Sequence, residues 1–106
     1  MNQLDAVDTL NLADIFKALG HPARVSFIKK LHNGEKCVCD LVECVDLGWS
    51  TVSRHLSVLK EAGIIEDEKR GLQVFYKLKL PCVTELIHCL ENDLCQTNSE
   101  NDRGCR

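Results

Sequence analysis

Residues 49–62 of the chain read WSTVSRHLSVLKEA, and Gly63 follows them. Val52, Leu56 and Leu59 recur at helical spacing, so they form the apolar stripe of an amphipathic helix. The opposite stripe carries short hydroxyl side chains and one guanidinium, from Ser50, Ser53, Arg54 and Ser57. Such a helix packs one face inward and shows small hydrogen-bonding groups outward, and Gly63 is suited to end it.

The residues just before this helix predict a helix-turn-helix motif. A short helix is expected over residues 37–45, with Leu41 and Val45 on one face, and residues 46–48 form a tight turn. In this motif the second helix enters the DNA major groove, where short donors and acceptors meet base edges and an arginine meets guanine or phosphate. The predicted DNA contacts on this helix are Trp49, Ser50, Thr51, Ser53, Arg54, His55 and Ser57.

Two short strands after the helix predict a β-hairpin. Residues 64–69 form the first strand, and residues 73–78, QVFYKL, alternate in polarity and are rich in β-branched and aromatic side chains. Arg70 and Gly71 form the turn between them. A hairpin in this place is a wing, and Lys69 and Arg70 near its tip are predicted to contact phosphate or the adjacent minor groove.

The remaining segments complete a mainly helical fold. Apolar side chains at helical spacing predict a helix around residues 12–19, a second over residues 22–32 and a last one opened by Pro81. The predicted fold is mainly α with a small β-hairpin, a winged helix-turn-helix of order α-α-α-α-β-β-α. We assign residues 1–95 to this domain and residues 96–106, which are polar and aperiodic, to a flexible C-terminal tail.

The composition fits a small single-domain protein that does not cross a membrane. The chain has 106 residues, 44% of them hydrophobic, and no apolar run long enough for a bilayer. Its first residues carry acids where a secretory signal would carry bases, so we expect a cytoplasmic location. The net charge is −3, but residues 48–80 hold six bases against four acids, so this region can still meet phosphate.

Seven cysteines are a high count for this length. Their odd number, without a secretory signal, argues against a secreted disulfide framework and favours metal ligands, redox thiols or small core residues. Cys37 and Cys39 form a Cys-x-Cys pair, and two thiolates so close in sequence suit a soft, thiophilic ion. On a regular helix their side chains diverge by ~200°. Both sulfurs therefore reach one ion only if the start of the short helix is irregular or unwinds.

These motifs, in this order, resemble the ArsR/SmtB family of metal-responsive repressors. The resemblance covers residues 12–80 and rests on the stretches LADIFKALGHPARVSFIKKL, CVCDL, STVSRHLSVLKEAGII and GLQVFYKL. It implies a homodimer that pairs through its first and last helices and, in the free state, occupies a palindromic operator in double-stranded DNA. Binding of an inducer would then release the repressor, and DNA binding would need no cofactor.

The CVCDL stretch resembles the arsenite-sensing motif of the family, so arsenite, As(III), is the leading inducer and three thiolates are its expected ligands. The third ligand departs from the pattern, because the position three residues beyond the second cysteine is Val42 here. Cys44 is the next cysteine and takes that role if the helix start unwinds. Cys82 and Cys89 on the last helix, from either subunit, are the alternatives.

Other features of the family are altered in this chain. No cysteine precedes Cys37, which counts against a cadmium or lead site that uses the N-terminal arm. The residues at the zinc-site positions are roughly Leu80, Cys82, Asp93 and Gln96, so that site is not expected. Gly48 and Trp49 replace the usual serine cap and glutamine of the recognition helix. We favour inward packing of Trp49 over stacking on DNA or a wedge against a sugar.

The main alternative is a repressor of the same fold that senses oxidants or persulfides, with Cys82 and Cys89 as a candidate redox pair. A disulfide between Cys37 and Cys39 would be strained if both lay on a helix, and this favours the metalloid interpretation. A small thiol enzyme is disfavoured because the chain has no Cys-x-x-Cys pair and no phosphate-binding loop. A zinc-stabilised interaction module would need four ligands at finger spacing, and the chain lacks them. We therefore expect neither a thiol enzyme nor a zinc-stabilised module.

Overall fold

Five helices and three short strands make up residues 3–97, the part whose backbone the computed structural model describes; side chains are described for residues 9–95. In chain order the elements are α1 (Gln3–Ala18), α2 (Pro22–Leu31), β1 (Lys36–Cys37), α3 (Val38–Glu43), α4 (Trp49–Glu61), β2 (Ile65–Arg70), β3 (Gln73–Leu78) and α5 (Cys82–Thr97). This order confirms the predicted mainly helical winged helix-turn-helix fold, with β1 as one added strand.

The end of α4 follows from the glycine that the sequence supplies there. Gly63 adopts a left-handed φ of 81°, and its backbone N–H donates to the carbonyl oxygen of Lys60 at 3.0 Å. The N–H of Ile64 reaches back to the carbonyl oxygen of Leu59 at 3.1 Å, which completes a Schellman motif. Because the helix stops so sharply, the chain passes directly from α4 into β2.

The strands β2 and β3 form the predicted hairpin. They pair antiparallel along their whole length, from Ile65 opposite Leu78 to Arg70 opposite Gln73. The connecting loop begins with Gly71 at φ 63°, a conformation that glycine adopts without steric cost. The predicted turn residue Arg70 is thus the last residue of β2, and the turn lies one residue later.

The third strand, β1, was not predicted. It places β3 in the centre of the sheet, in the order β1-β3-β2, with Lys36 opposite Tyr76 and Cys37 opposite Phe75. A strand of two residues is too short to show an alternation of polarity in the sequence. Its pairing partner is a strand almost forty residues later in the chain, so no local pattern indicates it. The predicted start of the short helix at residue 37 is therefore wrong, because Cys37 is extended and α3 begins at Val38.

The hydrophobic core joins α2, α3, α4 and the base of the hairpin. Its largest fully buried side chains are Phe27, Ile28, Leu41, Val52, Leu56, Leu59, Ile64 and Ile65. The inner stripe predicted for α4 is among them, as is the apolar face predicted for α3 at Leu41. Burial of the stripe fixes the rotation of α4 about its axis, so the polar stripe faces outward.

The last helix extends beyond the predicted domain boundary. α5 includes Gln96 and Thr97, which we assigned to the tail from the sequence. The apolar residues at helical spacing end at Leu94, and the helix continues for three residues beyond them. The rest of the predicted tail, residues 98–106, lies outside the described residues. Within residues 3–97, no helix is long and apolar enough to cross a membrane.

Candidate nucleic-acid interface and metal centre

The outer face of α4 carries most of the predicted DNA contacts. Ser50, Thr51, Ser53, Arg54 and Ser57 are all exposed along it, whereas the opposite stripe is fully buried. Within the described residues, the guanidinium of Arg54 takes part in no ion pair. An unpaired arginine beside several hydroxyls can bind guanine or phosphate without first breaking a contact inside the protein.

Trp49 is exposed, and the preference for inward packing is wrong. Its side chain keeps 59% of its accessible surface, and it lies outside the hydrophobic core. The residue continues the buried stripe of α4 by one turn, but the helix begins at Trp49, so the indole lies beyond the packed core. A large exposed aromatic ring at the start of the helix is free to stack on or wedge against a partner molecule.

His55 differs from the other predicted DNA contacts, because its ring is directed toward α2. It is half-buried, and its Nδ1 accepts a hydrogen bond from Nε of Arg24 at 3.2 Å. Burial lowers the pKa of His55, and the nearby His21, Arg24 and Arg54 lower it further. The ring is therefore neutral at physiological pH and engaged inside the protein.

The two predicted wing contacts differ in how their charges are used. The guanidinium of Arg70 binds both carboxylate oxygens of Glu35, at 2.8 and 2.7 Å, and one of Glu68 at 2.8 Å. It also lies over the ring of Phe75, 4.7 Å from the centroid, and its two carboxylate partners raise its pKa further. Lys69 is exposed and forms no ion pair with any described residue. Lys69 is therefore the wing cation available to phosphate.

The acids of β2 do not leave the hairpin negative. Each of them has a basic partner: Glu66 contacts Lys77 at 3.3 Å, Asp67 contacts Lys60 at 3.0 Å, and Glu68 contacts Arg70. These pairs are largely exposed, so they contribute little to stability. Their effect is on the local field, because they compensate the charge of the acidic strand, whereas Arg54 and Lys69 form no ion pair with any described residue.

The Cys-x-Cys pair lies at the junction of β1 and α3. Cys37 is the residue before α3, with an extended backbone at φ −79° and ψ 160°, and Cys39 is in the first turn of the helix. Their Cα atoms are 5.4 Å apart, and the structure joins the two sulfurs in a disulfide. The expectation of strain applied to two cysteines on one regular helix, and Cys37 lies before the helix, so that condition is not met here. The irregular helix start that one shared ion requires is already part of the fold.

Asp40 completes a three-residue group that the sequence analysis did not identify. The ligand atoms of Cys37, Cys39 and Asp40 all lie within 4.8 Å of one another, and they form the metal-ligating group found among the described residues. Cys37 is buried, Cys39 is half-buried and Asp40 is exposed, so one side of the group is open to solvent. The usable signal was the position of Asp40 three residues after the extended Cys37, which is one helical turn.

The other predicted ligands lie elsewhere. Cys44 is at the far end of α3, and its thiol donates a hydrogen bond to the carbonyl oxygen of Leu41 at 3.1 Å. Burial raises the pKa of the Cys44 thiol, which disfavours the thiolate that a metal needs. Cys82 and Cys89 are exposed free thiols on α5, separated by about 10 Å of helical rise. They are too far apart along one helix to form a bond within the chain.

Two apolar rows of the described chain are uncovered. Leu12 and Phe16 lie one turn apart on α1, and Leu90 and Leu94 lie one turn apart on α5. Each of the four side chains keeps more than half of its accessible surface. Rows of this kind on a small domain mark a surface for another protein molecule.

The sequence matches those of known regulators. Residues 21–67 match the model of bacterial regulatory proteins of the arsR family. An uncharacterised HTH-type transcriptional regulator of Methanocaldococcus jannaschii is 39% identical over 80 residues, 74% of this chain and 90% of the relative. The arsenic resistance transcriptional regulator ArsR1 of Pseudomonas putida is 33% identical over 87 residues, 81% of this chain and 67% of the relative.

Solved structures agree with these sequence matches. The transcriptional repressor BigR of Xylella fastidiosa superimposes with a TM-score of 0.74 at 32% identity, over 90% of this chain and 98% of that one. A homodimeric winged helix-turn-helix DNA-binding domain of Mycobacterium bovis superimposes with a TM-score of 0.82 at 21% identity, over 93% of each chain. The second similarity concerns the fold alone.

Proposed function

Because the chain belongs to the arsR family of bacterial regulatory proteins, as its motifs predicted, we propose that it is a cytoplasmic repressor that a soft ion releases from DNA. The family consists of transcriptional regulators and not enzymes. The repressor binds operator DNA as a homodimer, and thiolate binding by Cys37 and Cys39 releases it. The observation that carries this proposal is the grouping of Cys37, Cys39 and Asp40 at the start of α3.

The side chains of α4 supply the DNA-binding half of the mechanism. Its hydroxyls and the guanidinium of Arg54 reach base edges in the major groove, while Lys69 on the wing binds a phosphate. Trp49 at the start of the helix contributes an exposed ring for stacking or wedging. Arg70 has a different role, because its charge is already used to hold the wing to Glu35.

Arg54→Ala is expected to weaken operator binding roughly 10- to 100-fold without changing the affinity for the inducer. Arg70→Ala is the matched control, and it is expected to lower operator affinity less than about threefold, because Glu35 and Glu68 already compensate that charge. The measurement is fluorescence anisotropy with a labelled duplex that the protein itself selects from random DNA. Equal losses in the two variants would contradict the assignment of Arg54 as the principal basic contact.

The ion-sensing half of the proposed mechanism depends on α3, which lies between the proposed ion site and the recognition helix α4. Leu41 of α3 is fully buried in the same cluster as Val52 and Leu56 of α4, so α3 cannot move without repacking the recognition helix. When bound, a soft ion cross-links the thiolates at the start of α3. The shift from mostly bound to mostly free repressor requires a coupling free energy of a few kcal/mol between the ion and the operator.

The donor set bears on which ion is the inducer. Arsenite calls for three thiolates, and a third one from Cys44 requires that α3 unwind and that its thiol leave the carbonyl of Leu41. Without that movement the third donor is the carboxylate of Asp40, and two thiolates with one carboxylate suit a divalent ion such as zinc or cadmium, with water in the open position. Arsenite remains our leading inducer because the Cys-x-Cys pair matches the arsenite motif.

Asp40→Asn separates these two ion classes. We expect it to lower zinc and cadmium affinity about tenfold, because a neutral amide replaces a charged donor, and to leave arsenite affinity unchanged. The measurement is competition with a chromophoric chelator on reduced protein. Glu43→Gln is the control, since Glu43 is an acid of the same helix outside the three-residue group. Unchanged zinc and cadmium affinity in Asp40→Asn would show that the carboxylate is not a donor.

The disulfide between Cys37 and Cys39 supports a second candidate function, a thiol-redox repressor of the same fold. In this case two thiols lose two electrons and two protons to an oxidant such as hydrogen peroxide, which is reduced to water, and the new bond shifts α3. Mass spectrometry after alkylation tests it. Loss of two free thiols at Cys37 and Cys39, together with operator release by peroxide, would favour this function over metal sensing.

A further inference from the structure

A single guanidinium connects three helices, and one of them is the recognition helix α4. Arg24, in the first turn of α2, donates from Nη1 to the carbonyl oxygen of Ala18 at 3.0 Å, where α1 ends. Its Nε donates to Nδ1 of His55, in the middle of α4, at 3.2 Å. Both contacts are partly buried, so they are less exposed to competition from water than surface pairs are.

A second histidine lies beside the ring of His55 at this joint. Nδ1 of His21 accepts the backbone N–H of Ala23 at 3.1 Å and so caps α2. The rings of His21 and His55 are 4.2 Å apart, centre to centre. An imidazole can accept a hydrogen bond at Nδ1 only when that nitrogen carries no proton. His55 therefore serves the joint as the neutral form, with its proton on Nε2.

We propose that Arg24 is a positioning residue that sets the orientation of α4 on DNA through the neutral imidazole of His55, and that mild acidification opens this joint. The inference rests on the proposed role of α4 as the DNA-reading helix. It adds to that role a link to the end of α1, the helix whose apolar row we assign to the dimer. Arg24 thus connects the arrangement of the two subunits with the angle of each recognition helix.

The charged surroundings of His55 determine the direction of the pH effect. Those that act on the ring are Arg24, His21 and Arg54, and all three oppose a positive charge on it. Asp14 and Glu61 line a cleft together with Arg24 and Lys17, and neither acid is among the groups that shift the pKa of His55. Since burial and these neighbours hold the pKa of His55 below its usual 6.5, the folded protein favours the neutral ring. Stabilisation by the joint is therefore complete above about pH 6.5 and is lost as the pH falls below it.

The test compares operator affinity at pH 7.5 and pH 5.5, at constant ionic strength, for the wild type and two variants. We expect about a tenfold loss of wild-type affinity on acidification. His55→Gln keeps an oxygen acceptor that does not titrate, so its affinity should be nearly independent of pH. Arg24→Lys keeps the charge but loses the planar fork, and it should bind about tenfold more weakly at pH 7.5. His32→Gln, at an exposed histidine after α2, is the control and should follow the wild type.

Two outcomes would overturn the proposal. One is tighter operator binding by the wild type at pH 5.5, as expected if a cationic His55 contacted phosphate. The other is a His55→Gln profile as steep as that of the wild type. Urea unfolding of Arg24→Lys shows whether its loss of affinity reflects global destabilisation. Nitrogen NMR of His55 in the free protein shows whether Nδ1 is unprotonated and accepts a hydrogen bond. Because this measurement needs no DNA, it tests the contact between Arg24 and His55 separately from the role of α4 in reading DNA.

Discussion

Cys37→Ser and Cys39→Ser repressors are expected to bind operator DNA as tightly as the wild type and to remain bound when arsenite is added. Neither sulfur lies on the outer face of α4, so DNA contacts should be unaffected. A serine hydroxyl is a poor substitute for a thiolate toward a soft ion, and loss of one of two adjacent donors should lower ion affinity more than 100-fold. Anisotropy of the labelled operator, titrated with arsenite under reducing conditions, measures the release.

X-ray absorption at the arsenic edge tests the same prediction by identifying the atoms bound to arsenic. Reduced wild-type protein with one equivalent of arsenite should show a first shell of sulfur, and Cys37→Ser should lose it. Cys82→Ser and Cys89→Ser test the alternative third ligands on α5, and both variants should keep the sulfur shell if the centre lies at the start of α3. Normal release by arsenite in both Cys37→Ser and Cys39→Ser would refute the proposed sensing site.

The combined variant Leu90→Glu/Leu94→Glu is expected to be monomeric and to lose at least 100-fold in operator affinity. These leucines keep 52% and 54% of their surface in the single chain. In the dimer that we propose, a second copy covers them together with the row on α1. Four introduced carboxylates at a two-fold interface repel each other and cannot be buried without a partner charge. A monomer contacts one half-site, so its affinity should approach that of nonspecific binding.

Sedimentation velocity measures the subunit number directly, and operator anisotropy measures the consequence. Leu72→Glu is the control for sedimentation, because Leu72 is a fully exposed leucine in the hairpin loop and belongs to neither apolar row. That variant should remain dimeric. A double variant that still sediments as a dimer would show that α5 is not part of the subunit interface.

Local signals predicted the recognition helix well. Its apolar stripe and the glycines at either end are short-range features, so its bounds agree with the structure to within a residue. The hairpin, with its alternation and its glycine turn, was predictable for the same reason. In contrast, Cys37 belongs to a strand because of Phe75, and no local pattern shows a pairing across that sequence distance.

The errors at the site have the same origin. The ion pair of Arg70 was not predictable from local patterns, because Glu35 precedes α4 and Arg70 follows it in the sequence; the DNA contact of Arg70 stays a prediction. Trp49 continued an apolar stripe that the core does not extend far enough to cover. Asp40 was overlooked because its relation to the two cysteines depends on an extended residue before the helix. Spacing alone does not show where a regular helix begins.

Cys37 belongs to two structures at once, since it pairs with Phe75 in the sheet and contributes its sulfur to the proposed centre. A ligand on that sulfur therefore acts on the backbone of β3, the strand that forms half of the wing, as well as on α3. Amide hydrogen exchange along β1 and β3 should consequently change when the centre is loaded, even in protein without DNA. The wing and the recognition helix would then respond to one chemical event through separate contacts, strand pairing in the first case and helix packing in the second.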